Sequence, residues 1–321
     1  MAEELLFIEP VFKEKVWGGH KLRELFSYEI PSEQTGECWG ISAHKEGSGK
    51  VINGIHQGMS LRTLWQDHQE LFLNQEDPGE FPLLVKIIDA TDDLSVQVHP
   101  DDEQALQREG YPYGKTECWY IIDAEPGSEL VYGHHAKSEQ DMRSLIKAGE
   151  WTSLFQRIPV KRGDFVHVPS GTVHAIGAGI TLLETQQSSD ITYRFYDYDR
   201  PGTDGELRPL HVEASIACSV IPDEKGIESV IQTEQKTDPL LSLVHDTYFS
   251  VYRLKSQADG PVELANPSFL LCTVIRGQGH ASIGNGASAI RAGDHFLVPA
   301  SVAGIRIEGE CELIVSHVPA G

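Results

Sequence analysis

The stretch GDFVHVPSGTVHAI, residues 163–176, contains the turn on which the predicted fold depends. Gly163 precedes an apolar strand, Pro169 ends its pairing because proline lacks an N–H group, and Gly171 allows the chain to reverse. His174 then begins a return strand, along which side chains alternate between two faces and can point into the interior. Taken alone, His174 would be better explained as a surface histidine after a β-turn.

A second copy of this unit lies near the end of the chain. GDHFLVPASVAGI, which starts at Gly293, repeats the Gly-Asp pair, the apolar strand and the Val-Pro step. Two copies of a strand–turn–strand unit predict two β-barrel domains of related design. The second copy has no histidine in the place of His174, and His295 aligns with Phe165. We therefore expect a C-terminal barrel without a metal.

The remaining sequence predicts a mainly β protein with a few helical insertions. Short segments rich in Val, Ile and aromatic residues predict strands at 81–89, 94–99, 118–123, 164–169 and 180–185. Helical patterns are confined to 60–73, 138–149 and 211–221. The polar, acidic segment 222–239 is interpreted as a linker, which divides the chain into a domain at 1–237, with the helical insertions, and a C-terminal barrel at 238–321.

Composition limits the classes of partner. The chain has 321 residues with 48 acidic and 26 basic side chains, a formal net charge of −22. Such a charge disfavours binding to nucleic acid or to an anionic membrane surface. No apolar run is long enough to span a bilayer, and the first residues lack a secretory signal pattern. The five scattered cysteines indicate reduced thiols in the cytoplasm, and no feature points to an obligate protein partner.

Possible metal ligands precede the first copy of the repeat. Gln97 and His99 are two residues apart in VQVHPDDEQ, so they share a face of one strand. Glu117 opens the next strand, after the loop 100–116. His99, Glu117 and His174 offer donors that suit zinc, iron or manganese, and three protein ligands leave positions open for water or substrate. Gln97 is predicted with equal weight as a fourth ligand or as an amide that only hydrogen-bonds Glu117.

These motifs resemble known families. The spacing G-x5-P-x-G-x2-H from Gly163 to His174 is similar to the second motif of the cupins. Over nearly its whole length, the chain is identified as resembling the short bacterial form of type I mannose-6-phosphate isomerase. The matching stretches are PVFKEKVWGG (10–19), TGECWGISAH (35–44), FPLLVKIID (81–89), LSVQVHPDD (94–102), GKTECWYI (114–121), PSGTVHA (169–175) and SSDITYRFYDYDR (188–200). The chain departs from the family at Cys38, where Ser is frequent, and it has no room for the large helical domain of longer members.

The resemblance implies two cupin-type jelly-roll barrels and an enzyme that binds one Zn²⁺ per chain. Its substrate would be a small sugar phosphate, because the family interconverts mannose 6-phosphate and fructose 6-phosphate, through a cis-enediol. The family's zinc ligands fall on Gln97, His99, Glu117 and His174. Its active-site arginine falls on Arg194, and its pocket-lining residues fall on Ser95, Lys86 and Lys115.

Each of these assignments has a plainer alternative. Arg194 can bind a phosphate or an enediolate with its fork of donors, or pair with a nearby aspartate at 190, 197 or 199. Lys115 and Lys86 can supply local positive charge, although most lysines are simply exposed. Trp17 can stack on a sugar face, but we expect it to fill the core. The other histidines, including the pair His134–His135, are expected at the surface or at the pocket rim.

Two other functional classes fit a cupin fold. An iron-dependent dioxygenase usually has three histidine ligands, whereas this chain offers two with Gln97. A non-catalytic sugar-binding or regulatory cupin would not need metal ligands. The ligand set argues against the second class, and the order of motifs along the chain argues against the first.

Overall fold

The computed structural model describes residues 4–72, 79–202, 205–223, 229–257 and 260–319. The fold is mainly β, as predicted. Its strands follow in chain order: β1 (Leu6–Glu9), β2 (Val11–Gly19), β3 (Thr35–Ile41), β4 (Ala43–His44), β5 (Gly47–Ser48), β6 (Lys50–Val51), β7 (Leu83–Ala90), β8 (Val96–Val98), β9 (Glu117–Ala124), β10 (Glu129–His134), β11 (Phe155–Pro159), β12 (Asp164–Val168), β13 (His174–Ile176), β14 (Ile180–Gln187), β15 (Tyr193–Tyr196), β16 (Val230–Gln232), β17 (Leu240–His245), β18 (Ser250–Ser256), β19 (Val262–Ala265), β20 (Leu270–Ile283), β21 (Gly286–Arg291), β22 (His295–Val298) and β23 (Gly304–His317).

Short helices connect these strands. They are α1 (Lys21–Phe26), α2 (Leu61–Asp67), α3 (Asp102–Glu109), α4 (Glu139–Ala148), α5 (Trp151–Leu154) and α6 (Val212–Cys218). Helices α2, α4 and α6 lie within the three predicted helical stretches, and Ser60 and Ser138 cap α2 and α4 by accepting backbone N–H groups. Among the described residues, no helix has the length and apolarity needed to cross a membrane.

Helix α3 was not predicted, although the sequence carries its signal. Asp101 accepts the backbone N–H of Gln104, and the Gln104 side chain accepts the N–H of Asp101, a complete capping box. Gly110 ends the helix in the left-handed conformation, with φ of 66°. This helix occupies about half of the loop 100–116 that separates His99 from Glu117, so it helps to set the path of the chain between these two residues.

Two antiparallel sheets form the first part of the chain. One has seven strands in the order β16-β12-β9-β14-β7-β3-β2, and the other has five in the order β11-β10-β13-β8-β15. A shared hydrophobic core joins their inner faces, with Trp119 and Leu182 from the larger sheet packed with Leu130, Tyr132 and Ile176 from the smaller one. The site described below lies between these two sheets.

The repeated motif forms the same unit twice. Its first copy contains β12 and β13, and its second copy contains β22 and the start of β23. β22 belongs to a nine-stranded sheet, which also includes β1 from the beginning of the chain. Leu6 pairs with Leu297 and Phe7 with Phe296. The domain boundary between residues 237 and 238 stays a prediction. β1, from the beginning of the chain, belongs to the same nine-stranded sheet as strands that follow this boundary.

The interpretation of 222–239 as a linker was wrong for the part that the structure describes. β16 pairs with β12 as an edge strand of the seven-stranded sheet. The following residues are held by Arg253, only 1% exposed, whose guanidinium donates to the carbonyl oxygens of Thr233, Lys236 and Asp238 at 2.8, 3.1 and 3.2 Å. β16 has only three residues, Val-Ile-Gln, within a segment that is otherwise polar and acidic, which is why composition alone suggested a linker.

His295 lies where the nine-stranded sheet packs against β3. Its Nδ1 is 2.9 Å from the Thr273 hydroxyl, and its Nε2 is 2.8 Å from the Tyr28 hydroxyl and 3.7 Å from Cys38 Sγ. A Cβ added to Gly40 would come within 2.2 Å of the imidazole ring, so the two halves are in close contact here. Burial lowers the pKa of His295 to about 3.

This histidine should make the protein sensitive to acid. Folded chains keep His295 neutral down to about pH 3, whereas an unfolded chain protonates it near pH 6.5, so unfolding takes up a proton between these values and acid favours it. The residue should remove about 2 kcal/mol of unfolding free energy between pH 7 and pH 5. The free energy of unfolding, measured with urea at pH 7 and at pH 5, should fall by about 2 kcal/mol less in His295→Gln than in the wild type. Equal losses in the two proteins would contradict the assignment.

Candidate metal centre and active site

His99, Glu117 and His174 lie together, as the sequence predicted, and their candidate ligand atoms are all within 4.8 Å of one another. Nε2 of His99 is 3.6 Å from Oε2 of Glu117, and Nε2 of His174 is 3.3 Å from Oε1 of the same carboxylate. All three side chains are at most 1% exposed. β9 contributes Glu117 from the larger sheet, β13 contributes His174 from the smaller one, and His99 directly follows β8 of the smaller sheet.

The outer nitrogens of both imidazoles are engaged. Nδ1 of His99 donates to the Ile191 carbonyl at 2.7 Å, and Nδ1 of His174 donates to the Thr172 carbonyl at 2.9 Å. A carbonyl can only accept, so each Nδ1 carries the proton and each Nε2 offers a lone pair toward Glu117. Burial lowers the pKa of His174 to about 4, and burial together with Lys115 lowers that of His99 well below its usual value.

This arrangement fits a divalent cation. Oε1 of Glu117 is buried without a hydrogen-bond partner in the described structure, and it faces the lone pair of His174 Nε2 at 3.3 Å. Two buried acceptors at this distance repel each other unless a proton or a cation lies between them. Two imidazole nitrogens and one carboxylate oxygen form a donor set that zinc accepts, with open positions remaining for other ligands.

Gln97 lies beside the cluster, on the strand neighbour of His174. Its amide nitrogen is 3.3 Å from Nε2 of His174. The oxygen and nitrogen of an amide exchange places by a half-turn, and that turn would direct an oxygen ligand toward the same point. The Gln97 amide thus contacts His174, whereas the alternative to metal binding predicted a hydrogen bond from this amide to Glu117.

The neighbouring wall carries paired charges on the seven-stranded sheet. Lys115 Nζ lies 2.5 Å from Glu117 Oε2, 3.1 Å from His99 Nε2 and 3.7 Å from Glu184 Oε1. Lys86 Nζ lies 3.3 Å from Glu184 Oε1, because strand register places these two residues opposite each other. Both lysines are therefore buried and paired with carboxylates, not exposed.

These contacts fix the protonation states. Burial works against the charge of Lys115, but Glu117 and Glu184 raise its pKa above the ordinary value. Burial also opposes ionisation of Glu184, yet Lys115 and Lys86 lower its pKa. For Glu117, burial and the nearby Glu184 charge raise the pKa. The wall thus holds ammonium donors next to an ionised carboxylate.

Glu184 was missed in the sequence, where β14 was expected only as an apolar strand, ITLLET. Its signal in the sequence was a charged residue that interrupts a buried strand, and Lys86 in β7 shows the same signal. Glu184 is 3% exposed, and its Oε2 accepts the Trp119 indole N–H at 3.0 Å. A buried carboxylate of this kind needs partners, so a charged residue in one apolar strand predicts an opposite charge in its neighbour.

Arg194 lies on the opposite wall, in β15, next to Gln97 in the adjacent strand. No ion pair of Arg194 is found among the described residues, and its Nε is buried without a hydrogen-bond partner. Asp197, one of the aspartates considered as its partner, pairs with Arg200 and Arg208. Burial and the charge of Arg208 lower the pKa of Arg194. Its guanidinium therefore remains available to an anion.

A cavity of about 410 Å³ separates the two walls. Lys86, Lys115, Gln97, Arg194, Ser95 and Trp17 all line it, so the structure brings the predicted polar residues to one space. Trp17 is 4% exposed and also packs in the core with Ile88 and Leu94. Its main contacts are those of a core residue, with one edge at the cavity. Glu37 and Trp39, which were not singled out, line the same space.

Two expectations for the other histidines need correction. His134, expected at the surface, is 1% exposed, and its Nε2 lies 3.0 Å from the Val220 carbonyl. His44, expected at the pocket rim, is buried with its ring 5.7 Å from that of Trp39. His20 and His135 are exposed. A histidine at the end of a strand can be covered by the next segment of chain, so its position in the sequence does not reveal that it is buried.

Comparison with known proteins gives matches over both halves of the chain. The family described as "Phosphomannose isomerase type I, catalytic domain" matches residues 5–127, and "Mannose-6-phosphate isomerase, cupin domain" matches residues 240–318. The mannose-6-phosphate isomerase ManA of Bacillus subtilis (strain 168) is 47% identical over 319 residues, 99% of this chain and 100% of its own. The mannose-6-phosphate isomerase of Streptococcus mutans is 47% identical over 318 residues, 99% of each chain.

A solved structure gives the same result for the fold. The crystal structure of the mannose 6-phosphate isomerase from Bacillus subtilis superposes with a TM-score of 0.91 at 43% identity. The alignment covers 98% of this chain and 100% of that one. Together with the matching cupin-domain family, this likeness confirms the predicted fold class of a mainly β cupin protein.

Removal of one candidate ligand should abolish metal binding. We expect the wild type to carry one divalent metal ion per chain, and His174→Ala to retain little after dialysis, because the open site then has one nitrogen fewer. Elemental analysis of both proteins measures this. His135→Ala, which changes an exposed histidine, is the control and should keep the wild-type metal content. Full occupancy in His174→Ala would remove this residue from the ligand set.

Proposed function

The chain belongs to the type I mannose-6-phosphate isomerases, and from this premise we propose that it uses zinc to interconvert mannose 6-phosphate and fructose 6-phosphate through a cis-enediol. The observation that carries the zinc proposal is the His99–Glu117–His174 cluster, in which both unprotonated Nε2 atoms lie within 3.6 Å of one buried carboxylate. Gln97 would supply a fourth, weaker ligand. When bound, the ion would polarise the sugar's carbonyl or orient its hydroxyl groups.

The reaction moves a proton between C1 and C2 of the sugar. It therefore needs a group that takes the proton from one carbon and delivers it to the other, a group that gives a proton to one oxygen and takes one from the other, and stabilisation of the negative charge that develops. Lys115 keeps its proton because of its carboxylate neighbours, so it can donate to a substrate oxygen. Glu184 is held ionised by two lysines and lines the cavity, which makes it the candidate acceptor on this wall.

Substrate binding would use the remaining polar groups of the cavity. Arg194 offers a planar fork of donors that has no carboxylate partner in the described parts of the chain, suited to a phosphate or to an enediolate. Lys86 adds positive charge, Ser95 offers a hydroxyl, and Trp17 presents one edge to the cavity. The neighbouring sheets exclude water from the metal ligands, which strengthens each charge interaction at the reacting atoms.

We also place the protein in the cytoplasm and expect no nucleic-acid, membrane or obligate protein partner. All five cysteines are free thiols, and each is buried. Such thiols suit a reducing compartment. The strong net negative charge disfavours polyanionic partners.

A coupled assay of fructose 6-phosphate formation from mannose 6-phosphate tests the function. We expect turnover that a chelator abolishes and that added Zn²⁺ restores. Unchanged turnover after complete metal removal would contradict the zinc proposal, and absence of turnover in the zinc-loaded enzyme would contradict the reaction. An iron-dependent dioxygenase would instead consume oxygen in the presence of its substrate and Fe²⁺.

Arg194→Lys should lower kcat by about 10²–10³ and leave the metal content unchanged. Lysine keeps the positive charge but lacks the planar fork, so a transition-state contact is lost while the fold is retained. Steady-state kinetics, elemental analysis and a melting curve on one preparation measure the three effects.

Arg143→Lys is the matched control, because Arg143 is paired with Glu213 on the exposed face of α4. It should retain wild-type kcat. A near wild-type kcat in Arg194→Lys, with a lowered melting temperature, would assign Arg194 a structural role instead.

A further inference from the structure

The segment that carries Lys115 is held by side chains outside the candidate ligand set. Gly114 and Thr116 flank Lys115. The Gly114 N–H donates to Oδ1 of Asp102 at 2.7 Å, and the Thr116 N–H donates to Oε1 of Gln187 at 2.9 Å. These two acceptors are joined, because Nε2 of Gln187 donates to the same Asp102 oxygen at 2.8 Å. One small network therefore holds both neighbours of Lys115.

The backbone of Lys115 itself is held as well. Its N–H donates to the Pro100 carbonyl at 3.0 Å, so three consecutive N–H groups are bonded in a segment that precedes β9 and is neither helix nor strand. A Cβ added to Gly114 would lie 2.5 Å from the Pro100 oxygen and 2.4 Å from the Asp101 carbonyl carbon. Only glycine fits such a close approach of two backbones.

Asp102 and Gln187 do not line the cavity in which the substrate is proposed to bind. Asp102 is the first residue of α3, so the capped helix fixes the direction of its carboxylate. Gln187 is 3% exposed at the end of β14, three residues after Glu184. Both side chains accept backbone N–H groups, which is a positioning contact and not contact with reacting atoms.

Lys115 needs this support more than Lys86 does. Its flexible side chain has four rotatable bonds, and its ammonium must remain near Glu117 and His99 at the distances given above. Lys86 is placed by the ladder of a central strand, whereas Lys115 has no strand ladder of its own. The position of its Cα therefore depends on the N–H contacts of residues 114–116.

We infer that Asp102 and Gln187 are positioning residues that fix the backbone of 114–116 and thereby set the Lys115 ammonium against the reacting end of the cavity. The inference rests on the proposed function, which gives Lys115 its role in turnover.

Asp102→Ala and Gln187→Ala test the inference in the full-length, zinc-loaded enzyme. Each should lower kcat by about 10- to 100-fold, since a displacement of about 1 Å at a reacting group has this effect. KM should stay within about threefold, because the cavity-lining groups remain, and the metal content should stay at one per chain. Amide hydrogen exchange should become faster at Gly114 and Thr116, which lose their acceptors.

Conservative variants separate positioning from a general loss of stability. Asp102→Asn keeps an oxygen that can accept both N–H groups, and it should restore kcat to within about threefold of wild type. Glu103→Gln changes the next residue of α3, which is exposed, and should leave kcat unchanged. An Asp102→Asn variant as impaired as Asp102→Ala would overturn the inference.

A double-mutant cycle with Lys115→Met gives the decisive measurement. If Asp102 acts through Lys115, adding Asp102→Ala to Lys115→Met should change kcat by less than about twofold. Additive losses of kcat would mean that Asp102 acts elsewhere, and wild-type kcat in Asp102→Ala would mean that it does not act at all. Either result overturns this inference alone, whereas an inactive zinc-loaded wild type overturns the proposed function and the inference together.

Discussion

Lys86, Lys115, Glu117 and Glu184 are buried between the seven-stranded and five-stranded sheets, and the surrounding structure must keep each of them paired. Lys86 and Glu184 face each other across adjacent strands, and Lys115 bridges Glu184 and Glu117. An unpaired charge at this depth would be strongly destabilising, so strand register here is dictated by charge as well as by apolar burial. Because the two lysines and two glutamates balance one another, the cluster can accept a further cation and a phosphate without a large net charge.

The charges outside this cluster also favour the binding of an anion in the cavity. The chain as a whole carries a net charge of −22, which by itself repels a sugar phosphate. Yet the cavity is lined by six cationic side chains and only four acidic ones: Lys13, Lys15, Lys86, Lys115, Arg194 and Arg208 against Glu37, Glu46, Glu184 and Asp190. Positive charge gathered in one cleft can attract an anion locally although the chain as a whole repels it.

The sequence predicted the ligand cluster well because its geometry follows from local rules. The turn at Gly171 and the alternation of strand side chains direct His174 inward, and strand ends bring His99 and Glu117 to the same layer. Glu184 could not be placed by the same rules, since its role depends on which strands pair, and pairing is a long-range property. The edge strand β16 was hidden for a similar reason: it has only three residues, Val-Ile-Gln, within a polar segment, and its pairing with β12 is a long-range property.

The pairing of β1 with β22 has a consequence for synthesis on the ribosome. Leu6 and its partner Leu297 are separated by nearly the whole chain, whereas Ile8 pairs with Val51 close by in the sequence. The β6 side of β1 can therefore pair early, but its β22 side must wait until the final strands leave the ribosome. During that time the nascent chain exposes one unpaired strand edge and the apolar side chain of Leu6, where a chaperone can bind.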